Sequence, residues 1–399
     1  MSKSQVIILG AVGFVVIFLF SVVFLGLGRK APIERVKLTV WGVEDEDVFS
    51  APFAKFRAEN KGVQIDYEKV PEVSYEKKLI DTLAAGAGPD VFMFRSNWLS
   101  EHNNKIIPVP ESFFPYSRLG NLYPQVVERD FASSGRIYAL PLYIDTLSLI
   151  YNRDSLDKKG IPLPPKTWSE LETMVARKRL LVSLGEPAPV VTRAKEIVTA
   201  MMLQAGITVS PGSPVRLSVP AGVKALEYYA GFTPSKNDSI ADFAGEKTDV
   251  IFDFYSSKGL IHAKNPFLNF AFAPLPQFDP SSPVTIASYY GFAVSNKASR
   301  PDLAWKLIIA AASDEASAES YLLAADHPPA LRSLIAKYSD SRDYGVFARQ
   351  VLTARSWPEP EVKEMARIIN DMISYAVEKN NVSDALRKAE GEINQLYYR

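Results

Sequence analysis

The residues of this sequence that could do chemistry are aromatic rings set beside carboxylates and amides, and the chemistry they suggest is recognition. Trp41 closes an alternating run in which Val36, Leu38 and Val40 are apolar. Phe94, Asn97 and Trp98 end or follow the apolar run Val91-Phe92-Met93-Phe94. Tyr255 comes just after the expected strand 250–254, and Tyr289-Tyr290-Gly291 opens another. Rings at strand ends can pack on C–H surfaces while nearby amides and carboxylates take hydroxyl groups. That combination describes a pocket for a polar ligand with apolar faces, such as a sugar. The acidic run Glu44-Asp45-Glu46-Asp47 falls just past the first strand. It suits either ligand contact at a strand's carboxyl end or the positively polarised start of a helix.

Bond-making chemistry finds little support. No Gly-x-Gly-x-x-Gly, Walker loop, His-Glu-x-x-His or Gly-x-Ser-x-Gly occurs. There are no cysteines, which removes disulfides, thiolate metal sites, thiol catalysis and a lipid on an N-terminal cysteine. The three histidines, His102, His262 and His327, lie far apart in sequence. With 45 acidic residues a carboxylate pair is always at hand, so glycoside cleavage has no specific signal. The 45 basic residues balance them to zero net charge, which argues against a nucleic-acid partner. No metal and no cofactor is expected, and the chain reads as a binding protein and not as an enzyme.

The elements that must position these residues alternate between strand and helix. Strands are expected over 36–41, 63–67 and 90–94, with helices over 48–60 and 75–83 between them. This β-α-β-α-β order predicts a parallel, doubly wound sheet. The glycine-rich stretch Ala85-Gly86-Ala87-Gly88-Pro89-Asp90 joins helix to strand. A phosphate cradle needs the reverse order, so this is a tight turn. Residues 103–136 look irregular. Thr167, with Glu170 three residues on, forms a capping-box pattern ahead of a helix over 168–177. Further helices are expected over 194–206 and 221–230, and strands over 180–184, 250–254, 270–274 and 291–294. From residue 302 the pattern is mostly helical, with Ser383 as the expected cap of the last helix.

Residues 6–27 carry no charge. As a helix they would be about 33 Å long, close to the thickness of a bilayer's hydrocarbon core. A cleaved secretory signal usually has an apolar core of about 7–15 residues, so this run reads as an uncleaved anchor. The soluble body would then stand on one side of the membrane.

Three stretches in order resemble a known family. They are Val36-Lys37-Leu38-Thr39-Val40-Trp41 with Ala84-Ala85-Gly86-Ala87-Gly88-Pro89-Asp90-Val91, then Gly135-Arg136-Ile137-Tyr138-Ala139-Leu140-Pro141 leading to Leu147-Ser148-Leu149-Ile150-Tyr151-Asn152, then Pro164-Pro165-Lys166-Thr167-Trp168-Ser169-Glu170-Leu171. From about residue 36 onward the chain resembles the extracytoplasmic solute-binding proteins of ABC importers, of the maltose-binding type. The resemblance implies a two-lobed α/β periplasmic-binding-protein-like fold with a ligand cleft between the lobes, here preceded by one N-terminal transmembrane helix at 1–30. One lobe would hold 35–143 plus 272–313, the other 144–271 plus 314–399. It implies a monomer that closes on a small polar ligand, a sugar or oligosaccharide, and hands it to permease subunits. The body would be extracytoplasmic and held at the cell membrane. Sensing for a signalling partner is the alternative, and a tethered glycoside hydrolase a more distant one. Carried over position by position, Trp41 and Asp45 fall in the first strand-to-helix loop. Phe94, Asn97 and Trp98 fall after the Pro-Asp strand, and Asp145 near the first lobe crossing. Tyr255, Tyr289 and Trp357 fall near cleft loops. The sequence departs from maltodextrin binders at 177–192, which lacks their aromatic cluster, and at Tyr255, where a tryptophan is expected.

Overall fold

The computed structural model describes residues 35–178, 180–184, 193–210, 213–232 and 239–397. The expected anchor at 1–30 and most of the compressed segment 177–192 lie outside the described residues. Among the described residues no helix is long and apolar enough to cross a membrane.

The chain builds two α/β lobes. The first is centred on a six-stranded sheet whose main path runs Val63–Lys69, Val36–Gly42, Val91–Arg95, Tyr290–Ser295, Ile106–Ile107, with Ala139–Pro141 also paired to Tyr290–Ser295. The first three strands are parallel, as their order in sequence predicts, while Tyr290–Ser295 returns antiparallel from far along the chain. Register puts Val40, Tyr67, Met93 and Phe292 on one face of the sheet and Trp41 and Phe92 on the other. Phe49 covers the first face, with its ring centroid 5.4 Å from Tyr67, 5.3 Å from Phe292 and 5.1 Å from Tyr321 of helix Glu315–Ala325. Helix Glu72–Ala84 covers the second face, where Lys78 Nζ lies 4.8 Å from the Trp41 ring centre. Gly86 ends that helix at φ +74°, a conformation open to glycine, so the glycine-rich stretch is the expected turn. Asp90 then locks the next strand by accepting the N–H and hydroxyl of both Thr39 and Ser299.

The second lobe holds a four-stranded sheet ordered Val182–Ser183, Val250–Asp253, Ser148–Asn152, Phe270–Ala273. Helix Val362–Lys379 buries Met365, Ile368, Ile369, Met372, Ile373 and Ala376, a helical three-and-four spacing that lays one stripe on this core. Helix Val382–Tyr397 packs beside it.

Three passages of chain join the lobes, and they are hydrogen-bonded to one another. Asp145–Thr146 pairs antiparallel with Thr285–Ser288, which pairs parallel with Ala354–Arg355. This moves two expected boundaries. Residues 273–286 pack in the second core, and Ala318 through Ala354 pack in the first, with the second core resuming at Trp357. The reason is apolar contact: Tyr321 stacks on Phe49 at 5.1 Å, and Leu334 and Phe347 are buried in the same core. Two smaller corrections follow. The irregular region contains helices Tyr116–Leu122 and Gln125–Phe131, each entered through a proline (Pro115, Pro124). The cap of the last helix is Asn381, whose Oδ1 accepts the Asp384 N–H at 3.1 Å; Ser383 sits inside the helix. The Thr167–Glu170 capping box is present in both directions, at 3.0 and 3.3 Å.

Candidate ligand cleft between the lobes

In doubly wound sheets the carboxyl ends of parallel strands open onto the ligand crevice. Here those ends present Glu44 after the first strand, Glu72 after the second and Arg95 with Asn97 after the third. Tyr290 starts the antiparallel strand opposite Arg95. Its hydroxyl donates to Glu72 Oε1 at 3.3 Å, and the Arg95 guanidinium lies 5.8 Å from its ring centre. From the second lobe, helix Ala194–Gln204 brings Arg193, Lys195 and Glu196 at its start. Asn97 Nδ2 donates to Glu359 Oε2 at 3.0 Å, and Lys195 Nζ lies 2.8 Å from Glu359 Oε1, so one carboxylate is shared between lobes. Arg193 Nε donates to Asp253 Oδ1 at 2.7 Å and stacks over Phe254.

The electrostatics follow from this mixture. Burial opposes charge on Arg95, yet Tyr290, Glu72, Tyr143 and Glu196 outweigh it and hold its pKa above the ordinary value. Glu196 belongs to the facing lobe, so the two lobes are coupled electrostatically through Arg95. Lys195 is raised in the same way, with burial outweighed by Glu359 and Glu196. Burial pushes the Tyr143 phenol well above its usual range, and Glu44 adds to the effect. Two buried acceptors, Asn97 Oδ1 and Glu196 Oε2, have no hydrogen-bond partner among the described residues. Buried acceptors are rarely left unpaired, so these two suit a ligand that donates hydrogen bonds.

The predicted site residues fall into three groups. Asn97 stands in the cleft. Asp45 is 68% exposed at its side chain and pairs with Lys69 at 2.7 Å on the surface. Its neighbour Glu44 is the residue that turns inward, accepting the Tyr321 hydroxyl at 2.8 Å and lying 2.7 Å from His327 Nε2. The others are packed inside. Phe94 meets Trp98 edge-on at 5.7 Å, and Trp98 stacks on Tyr75 at 6.2 Å. Trp41 is nearly buried under Lys78. Tyr289 donates to buried Asp130 at 2.7 Å, and Trp357 lies in the second core. Asp145 accepts the N–H groups of Thr146, Tyr255 and Ser256 at 2.8–2.9 Å, tying the first crossing to the turn Tyr255–Ser257. Burial raises the Asp145 carboxyl to about 6 despite those donors.

Sequence reading passed over Arg95, Tyr143, Arg193, Lys195 and Glu196. Arg95 carried a usable signal, since it ends the same strand as Phe94. The last three become neighbours of Arg95 only when the lobes meet.

The two-lobed architecture with a polar crevice has clear counterparts among known proteins. A family profile described as "Bacterial extracellular solute-binding protein" matches residues 42–318. The chain belongs to that family. A relative in Brucella abortus (strain 2308), named only as a binding protein, is 25% identical over 213 residues, covering 51% of this chain and 51% of that one. The chain thus spans about half the length of the curated relatives it matches. The maltotriose-binding protein of Pyrococcus abyssi (strain GE5 / Orsay) is 26% identical over 152 residues, 37% of this chain and 32% of that one. The cyclic alpha-maltosyl-1,6-maltose binding protein of Arthrobacter globiformis superposes with a TM-score of 0.79 at 18% identity, covering 91% of this chain and 99% of that one. That likeness establishes that this solute-binding protein has the same fold.

Proposed function

We propose that this protein is the sugar-binding component of an ABC importer. It takes a small saccharide into the cleft, closes on it by a hinge motion at the three paired crossings, and presents it to permease subunits. The observation that carries the reading is the pair of unpartnered buried acceptors, Asn97 Oδ1 on one lobe and Glu196 Oε2 on the other, set around the Arg95 guanidinium. Hydroxyl groups supply the donors those acceptors lack and accept from Arg95 in return. Tyr290, with Arg95 over its ring, and Tyr143, stacked on His327 at 3.8 Å, line the first-lobe wall beside these groups. Phe94, Trp98, Tyr255, Tyr289 and Trp357 build the walls behind these contacts, and Asp145 fixes the hinge. The maltotriose-binding relative supports a saccharide over a peptide or an amino acid. The reading is of a receptor without catalysis, its body extracytoplasmic. The uncharged run 6–27 holds it to the membrane as a single-pass anchor, and tethering raises its concentration near the permease.

The test is calorimetric titration with a panel of mono- and oligosaccharides, amino acids and polyamines, with product analysis on each mixture. A saccharide should bind unchanged. Arg95→Ala and Glu196→Gln should each weaken it by about tenfold or more, or about 1.4 kcal/mol, with far-UV circular dichroism unaltered. Binding confined to amino acids or polyamines, or turnover of the bound sugar, would sink the proposal.

A further inference from the structure

The second lobe carries a recess of its own, with a volume of about 550 Å³, which is in the range of small-molecule sites. Helix Trp168–Lys178 contributes Glu172 to its lining, and the end of helix Pro220–Gly231 contributes Glu227 and Tyr228, followed by Phe232. Leu181 comes from the edge strand's approach, and Thr248 stands just ahead of strand Val250–Asp253. Strands Val182–Ser183 and Val250–Asp253 run parallel, with Val182 opposite Val250, so the recess lies at their amino ends. The cleft residue Arg193 bonds Asp253 at the other end of the same strand. The recess and the cleft are therefore separate places.

Its chemistry is that of an acceptor. Thr248 is only 6% exposed, and its Oγ1 has no hydrogen-bond partner among the described residues. Buried polar atoms are rarely left so. Neither Glu172 nor Glu227 has an ion-pair partner among the described residues. Lys247, the cation of the lining, is 72% exposed at its side chain and leans toward Asp242 Oδ1, 3.5 Å away. The last turn of helix Pro220–Gly231 holds no basic residue, so the negative end of its dipole adds to the two carboxylates. Tyr228 and Phe232, with ring centroids 5.2 Å apart, supply apolar and π surface. The Tyr228 hydroxyl already donates to the Trp168 carbonyl, which leaves Thr248 Oγ1 as the unengaged hydroxyl. Burial and the Glu172 charge together push the Tyr228 phenol above its ordinary range.

We propose that this recess is a second binding site, for a small organic ammonium ion with an apolar body. An ammonium N–H donates to Thr248 Oγ1, Glu172 and Glu227 balance the charge, and the apolar body lies against Tyr228, Phe232 and Leu181. The site does not depend on what the cleft holds.

The full-length chain in detergent is titrated calorimetrically with phenethylammonium and with 3-phenylpropionate, which has a similar body and the opposite charge. The cation should bind one to one, and the anion should be weaker by about tenfold or more. Thr248→Val keeps the shape of the side chain and removes its hydroxyl. It should weaken the cation by about tenfold, while the melting temperature without ligand stays level or rises, because a buried unpaired hydroxyl has gone. Glu172→Gln/Glu227→Gln, made on exposed positions, should weaken the cation by about tenfold or more and serves if the Thr248 variant fails to fold by circular dichroism. Arg95→Ala, in the cleft, should leave the cation's affinity unchanged. Absence of cation binding, or equal binding of cation and anion, overturns the proposal. So does an affinity that is lost in Arg95→Ala and kept in the folded Thr248 or Glu172/Glu227 variants, since the cation would then occupy the cleft.

Discussion

Asp130 shows how a single buried carboxyl writes a pH dependence into the fold. It is buried beside the Tyr289 hydroxyl, and burial raises it to about 7, against the hydrogen bond from Tyr289 that pulls the other way. An aspartate in the unfolded chain titrates near 3.9. Between those two values the folded protein keeps a proton that the unfolded chain has released, so stability falls as pH rises from about 4 to about 7. The wild type should therefore melt at a lower temperature at pH 8 than at pH 5. Asp130→Asn, which keeps an acceptor for Tyr289, should flatten that slope by on the order of 2 kcal/mol over the interval. A pH–melting curve of the variant that superimposes on the wild type would refute the assignment. The same scale shows where sequence reading stops. The acidic run pointed at the right loop, but Glu44 turns inward while Asp45 faces solvent, a choice set by one residue's phase in a turn. Tyr289 and Tyr290 pose the same problem: strand alternation says that they face opposite ways, yet both are buried, Tyr289 against Phe131 and Tyr290 against Tyr75 and Trp98.

Element by element, local signals were read well where the physics is local. The first three strands, the glycine turn and the Thr167 capping box stand where periodicity and capping chemistry put them. The last helix shows the margin of error. Asn381 and Ser383 are both good capping residues, and only the backbone shows that Asn381 Oδ1 takes the Asp384 N–H. Asn381→Ala should cost about 1 kcal/mol in urea unfolding, while Ser383→Ala should stay within about 0.5 kcal/mol of wild type. Equal effects would mean that the cap is misassigned. Residues 315–354 illustrate the harder case. Their helical pattern was legible, but an apolar stripe does not say which of two cores it will cover, and the first core claimed it.

At the scale of the molecule, the two lobes are held by contacts far apart in sequence, which no periodicity reveals. Gln350 is one such contact. Its Oε1 accepts the Leu275 N–H at 2.8 Å and its Nε2 donates to Thr146 Oγ1 at 3.2 Å, so one first-lobe side chain ties the first crossing to a segment of the second core. Gln350→Ala would leave the buried Leu275 N–H unpaired and should cost about 1–3 kcal/mol. It should also loosen the hinge, seen as a larger radius of gyration by small-angle scattering without ligand; an unchanged radius would limit Gln350 to stability alone.

The triple passage between lobes also governs how the protein comes into being. The second core is started by residues 147–286 and finished by 357–396, with a large part of the first core's chain in between. As the polypeptide is synthesised from its N-terminus, strands Ser148–Asn152 and Val250–Asp253 exist long before the helices Val362–Lys379 and Val382–Tyr397 that cover them. Until the last of those residues emerge, the second lobe has an uncovered apolar face and cannot complete its fold. The interleaving that joins the lobes thus also orders their completion: the chain of the first core is all present by residue 354, that of the second only once residues 357–396 have emerged.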